Sequence, residues 1–183
     1  DELDPGYSGE GKLGVLQFGG PLLGCAITEP QCVLARQSLF TAGTGQFPSD
    51  NNNFPMVALQ DDGGDRVSGV TAVEIPDGAT VTAAYLEWSA NRSLGSSGNR
   101  GADTWDGKVR EARFKVPGGA YVDVRADRAT MLNQSHRQYY IARKDVTEAV
   151  KAAGSGTYSL ADIAVSGSRN DHDPTYYAGF TLT

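Results

Sequence analysis

The sequence predicts an all-β fold, a β-sandwich of jelly-roll type with one short connector helix. Three observations predict it. Short segments with alternating apolar and polar residues recur along the chain, as half-buried strands require. Turn-forming clusters separate them, and glycine, at 23 of 183 residues, far exceeds the roughly 7% of ordinary proteins without any period of three. Only residues 145–153 have the spacing of a helix. A chain of 183 residues with 39% apolar side chains can bury one core. No run approaches the roughly 18 apolar residues of a membrane helix, and a net charge of −6 argues against wrapping nucleic acid or anchoring by a polybasic patch.

Taken in order, residues 1–12 are acidic and Gly-rich and read as a flexible leader to a single domain over 13–183. KLGVLQFGG then reads as a strand stopped by Gly19, Gly20 and Pro21. Residues 41–53 are irregular, FPMVALQ is a strand, and DDGGD is a turn. RVSGVTAVEI and TVTAAYLEWSA follow as strands, with Trp88 expected in the core. Residues 89–108 are the least patterned segment and read as a long loop. VREARFKV, YVDVRAD and QYYIARK restore the strand period. Asp145 as N-cap and Glu148 as its capping-box partner start the helix, Val146, Ala149, Val150 and Ala153 line one face, and Gly154 ends it. TYSLADIAV and YYAGFTLT are the last strands.

Charge is uneven along the chain: residues 1–91 hold 3 basic and 12 acidic side chains, and residues 92–183 hold 13 and 10. That split marks either a docking face or strands presenting different solvent faces. The two cysteines, Cys25 and Cys32, suit a local disulfide, worth roughly 2.5 kcal/mol in the chain-entropy model. A disulfide implies an oxidising compartment; two free thiols in a cytosolic protein is the alternative. No basic and apolar leader opens the chain, so any secretion signal is expected to have been removed.

The succession ATVTAAYLEWSA, DVTEAVKAAGSGTYSLADI and YYAGFTLT, with the earlier LLGC and its second cysteine, resembles a module near the mature N-terminus of large secreted surface proteins of actinobacteria and related bacteria. The resemblance covers most of residues 13–183, and DVTEAVKAAGSGTYSLADI is its most specific piece. It implies a jelly-roll-like fold at a cell surface. In such modules the strand matching AGFTLT runs on into further strands, so either the sequence is a fragment or the subunit ends mid-sheet, and the second is expected to leave an open edge.

Enzyme chemistry is not indicated. Histidines number two, His136 and His172, and neither a nucleophile elbow nor a phosphate-binding loop is present. Calcium is the most reasonable ligand, through Asp61, Asp62 and Asp65 and through Asn170, Asp171 and Asp173, with Asp50 to Asn53 as a third oxygen-rich loop. Asp and Asn are also ordinary turn residues. Carbohydrate binding needs exposed aromatic rings. Trp105 and one ring from each of the pairs Tyr139/Tyr140 and Tyr176/Tyr177 are candidates; Tyr140 and Tyr176 are the expected solvent-facing members. Self-association is a further expectation: Leu13, Val15, Leu16 and Phe18 form a strand suited to donation into a neighbour's sheet, which builds fibres, or else pair within their own domain. The sequence thus points to a secreted, non-enzymatic structural or adhesive subunit that partners with copies of itself or neighbouring domains, with glycan binding as the alternative.

Overall fold

The computed structural model describes residues 9–25, 28, 56–63, 67–93, 108–134, 137–165 and 176–183. Among them the strands are β1 (Phe18–Pro21), β2 (Leu23–Cys25), β3 (Met56–Ala58), β4 (Ser68–Val73), β5 (Tyr85–Ser93), β6 (Glu111–Lys115), β7 (Val122–Arg125), β8 (Arg128–Gln134), β9 (Arg137–Asp145), β10 (Gly156–Ala161) and β11 (Ala178–Leu182). One helix, α1 (Thr147–Ala153), links β9 to β10. One sheet has the order β1-β11-β5-β9-β8 and the other β4-β10-β6-β7, with β2 and β3 forming a small pair of their own.

Without β8 and the small pair, eight strands remain; counted along the chain, the sheets run 1-8-3-6 and 2-7-4-5. First pairs with eighth, second with seventh, third with sixth and fourth with fifth, all antiparallel. This wrapping of one long hairpin is the jelly roll. Inward side chains meet between the sheets: Leu86, Trp88, Ala90, Tyr140, Ala142, Phe180 and Leu182 from one, Ala112, Phe114, Tyr158 and Leu160 from the other. Phe114 and Tyr158 stack with centroids 5.9 Å apart. Trp88 is fully buried, as expected, and its Nε1 donates to the Val109 carbonyl at 3.1 Å.

Along one side the sheets nearly touch. A Cβ at Gly20 of β1 would lie 2.7 Å from the Val70 carbonyl oxygen, and one at Gly69 of β4 would collide with the Pro21 carbonyl. These two glycines allow strands of opposite sheets to approach backbone to backbone.

Several expectations are corrected. The strand expected from Leu13 begins only at Phe18 and pairs with β11 of its own chain, Phe18 standing opposite Leu182, and Leu13, Val15 and Leu16 precede it. Those three side chains are exposed outside any strand, Leu13 and Leu16 lining an apolar cavity of about 660 Å³ with Val73, Ile75, Val81 and Val150. The final strand is not an open edge, since β11 lies between β1 and β5. The helix starts two residues later than Asp145, which ends β9 opposite Tyr85. Val146 holds the N-cap position without a side-chain bond, Asp145 accepts the Thr147 N–H at 2.9 Å, and Glu148 pairs with Lys151 rather than closing a capping box. Val146 and Val150 are buried, but Ala149 faces solvent. Strand β5 also runs on to Ser93, into the segment expected to be loop, and β8 was not expected as a strand.

Candidate functional site: the open face of the five-stranded sheet

The outer faces of the two sheets differ. On the four-stranded sheet, Ser159 and Ala161 have outward parity yet are buried. The turn at residues 59–63 lies over them, and Asp62 fastens it. Its carboxylate accepts hydrogen bonds from Ser159 Oγ at 2.5 Å and from Lys115 Nζ at 3.0 and 3.2 Å, while its backbone N–H donates to Ser68 Oγ at 3.1 Å. Beside it, Arg113 pairs with Asp162 at 3.4 Å, and the cations of Arg113 and Lys115 sit 5.2 and 5.6 Å from the Tyr121 ring centroid.

The Ser159 hydroxyl and Lys115 hold the Asp62 carboxyl below its usual pKa. A carboxyl depressed in the folded state contributes stability above its unfolded pKa and loses it as pH falls through the folded value. Asp62→Asn should therefore flatten part of the acid limb of the stability curve below about pH 4, measured by urea unfolding at a series of pH values. Part of the limb should remain, because Lys144 and the Asp145 N–H lower Asp127, and Thr147 lowers Asp145. An unchanged acid limb would show that this charge does not hold the turn.

Among the described residues the outer face of the five-stranded sheet is largely uncovered and built of cross-strand rows. The first row runs Leu132, Tyr139, Asn91, with Tyr177 beyond. Asn91 fixes Tyr177 by accepting its N–H at 2.7 Å and by donating its own N–H to the Tyr177 carbonyl at 3.2 Å. The next row is Thr130, Ile141, Ser89, Gly179, Pro21, and the third is Arg128, Arg143, Glu87, Thr181, Gly19. Side chains are therefore small or absent at Ser89, Gly179 and Gly19. A shallow depression of about 460 Å³ lies there, bounded by Ile141, Glu87, Thr181 and Pro21.

In the neighbouring row the rings of Tyr139 and Tyr177 lie side by side, centroids 6.5 Å apart and tilted by 33°. Tyr177 is 45% exposed and Ile141 48%. Burial and the neighbouring Tyr139 push the Tyr177 phenol above its ordinary pKa, so at neutral pH its hydroxyl keeps a proton to donate. At the far side Arg143 stacks 3.8 Å from the Tyr85 ring centroid with Glu87 at 4.0 Å, holding that carboxylate at the rim.

The aromatic residues expected from sequence are corrected by one position in each pair. Tyr140 and Tyr176 are buried, so neither presents a ring to solvent. Tyr140 donates its hydroxyl to the Ala164 carbonyl at 2.7 Å, and Tyr176 lies under Arg137. Their neighbours Tyr139 and Tyr177 hold the outward positions. Trp105 lies outside the described residues.

Of the oxygen-rich loops, Asp65, Asn170, Asp171, Asp173 and residues 50–53 lie outside the described residues. Asp61 and Asp62 are described, and the Asp62 oxygens are taken by Lys115 and Ser159. Among the described residues no three His, Cys, Asp or Glu side chains gather as a metal site. Cys25 ends β2 opposite Met56, while Cys32 lies outside the described residues. Several cations of the basic half meet acids: Lys115 with Asp62, Arg143 with Glu87, Lys144 with Asp127, Arg125 with Glu111. The first two of these pairs join the acidic half to the basic half, and the other two lie within residues 92–183.

Among the described residues no helix is long and apolar enough to cross a membrane. Comparison with known proteins finds no match to this chain among family models, curated proteins or solved structures.

Proposed function

We propose that this chain is a non-enzymatic, extracellular adhesive module that binds carbohydrate on the open face of its five-stranded sheet. The observation that carries the reading is the pair of adjacent outward rings, half-buried Tyr139 and exposed Tyr177, beside a floor formed by Ser89, Gly179 and Gly19. A sugar ring has apolar C–H faces and an equatorial belt of hydroxyls. Aromatic faces suit the first, and a shallow floor with polar rim groups suits the second. Here the lining offers the Glu87 carboxylate as acceptor and the hydroxyls of Ser89 and Thr181 as two-way partners. Tyr139 sits on the paired strand β9, and Tyr177, just before β11, is held by two hydrogen bonds to Asn91, so little ordering accompanies binding. The similarity of DVTEAVKAAGSGTYSLADI to modules of secreted bacterial surface proteins supports the extracellular setting.

A glycan array probed with the labelled chain is expected to show saccharide binding. Replacing both rings, Tyr139→Ala with Tyr177→Ala, should weaken it about tenfold to a hundredfold, since each ring contributes roughly 0.5–1.5 kcal/mol beyond its buried area. Replacement of both by Phe should retain most of the affinity. An array without hits, or binding indifferent to the double alanine variant, would overturn the reading.

A further inference from the structure

Among the described residues the two sheets have four edge strands, and three of them are protected. Strand β1 ends at Pro21 and abuts β4, whose own edge is bridged by residues 59–61 through the Ser68 N–H to the Leu59 carbonyl and the Asp61 N–H to the Ser68 carbonyl. Strand β7 has only four residues, and Asp123 and Arg125 charge it. Strand β8 has seven residues, RATMLNQ, with no proline, no glycine and no charge after Arg128. Its outward Leu132 is 62% exposed, and Thr130, Asn133 and Gln134 are exposed as well. Natural proteins blunt edges of this length with Lys, Pro or a bulge. This one carries none of them.

We infer that β8 pairs with β8 of a second copy of this chain, antiparallel about a two-fold axis through Met131. The strand is self-complementary in that arrangement. Its single charge, Arg128, falls opposite the uncharged Gln134 of the second copy, whereas parallel pairing would set Arg128 against itself. Thr130 falls opposite the second copy's Leu132. The outer row Tyr139, Leu132 then continues into Thr130 and Ile141 of the second copy, and the exposed apolar side chains form one stripe across the joint. Adjacent strands stand about 4.8 Å apart, so these side chains touch. Because the contact is isologous, it closes as a dimer and joins two five-stranded sheets into one of ten; it does not propagate into a fibre.

Sedimentation equilibrium on the whole chain should show a reversible monomer–dimer equilibrium. Leu132→Lys, at an exposed position and of the kind that natural edges use, should weaken it at least tenfold while leaving the thermal unfolding of the monomer unchanged. Register is read independently: Thr130→Cys and Leu132→Cys variants should cross-link under oxidation when mixed, above the wild-type background, and much less when either is alone. A chain still monomeric at about 0.1 mM, where even a weak interface of about −5.5 kcal/mol would be half associated, overturns the inference. So does a dimer indifferent to Leu132→Lys, or cross-linking without the mixed-variant preference.

Discussion

Trp88→Ala is expected to cost about 4 kcal/mol of folding stability and to lower the melting temperature by roughly 8–16 °C. Trp88 is fully buried on β5, the middle strand of its sheet, and its indole N–H reaches across to the Val109 carbonyl just before β6 of the other sheet. Removing it opens a cavity where the two sheets meet and leaves a buried carbonyl without that donor. Trp88→Phe separates the two effects, retaining most of the volume and losing the bond. Urea unfolding should rank the three proteins wild type, Phe, Ala. An alanine variant within 1 kcal/mol of wild type would mean that the sheets do not pack through this ring.

Gly69→Val is the second large effect, about 3 kcal/mol, although it adds apolar surface to a buried strand position. The collision is with the Pro21 carbonyl, a backbone atom held by the pairing of β1 with β11, so no rotamer relieves it. The variant must push β1 away from β4. Gly78→Ala makes the contrast: nothing lies within 4 Å of a Cβ there, so its cost arises only from the positive φ of 76°. Hydrogen exchange should show Gly69→Val loosening β1 and β4 before the rest. Uniform protection in that variant would contradict the account of a closed side.

The jelly roll was legible because strands such as β5 and β11 alternate clearly over most of their length. In β5 the inward set is Leu86, Trp88 and Ala90, and large apolar residues occupy that parity. Strand β8 was missed because its inward side offers only Ala129 and Met131, while its largest aliphatic residue, Leu132, faces solvent. An edge strand with that content has little period-2 signal.

The tyrosine pairs failed for two reasons. In QYYIARK the more apolar parity is Tyr139 with Ile141, yet the core takes Tyr140 and Ala142. The winning influence is register: β9 lies between β5 and β8, and its small Ala142 sits opposite Trp88 and Ala129. In YYAGFTLT the signal was present, since Ala178, Phe180 and Leu182 share the parity of Tyr176 and place it inside. The Asp62 clamp was beyond sequence reading, because its partners Lys115 and Ser159 are 53 and 97 residues away.

The site and the edge lie on one surface. Two copies joined through β8 would present their Tyr139 and Tyr177 platforms side by side on a continuous sheet, which raises avidity for a polymeric glycan without new contacts.

The most direct measurement is residue-level chemical-shift mapping of the isotope-labelled chain as a bound saccharide is titrated in. Saccharide recognition on the open face requires the largest shifts at Ser89, Tyr139, Tyr177 and Gly179, with Ser159 and Lys115 on the covered face unmoved. Shifts that cluster on the four-stranded sheet, or a saturating saccharide that leaves the tyrosine row untouched, would contradict it.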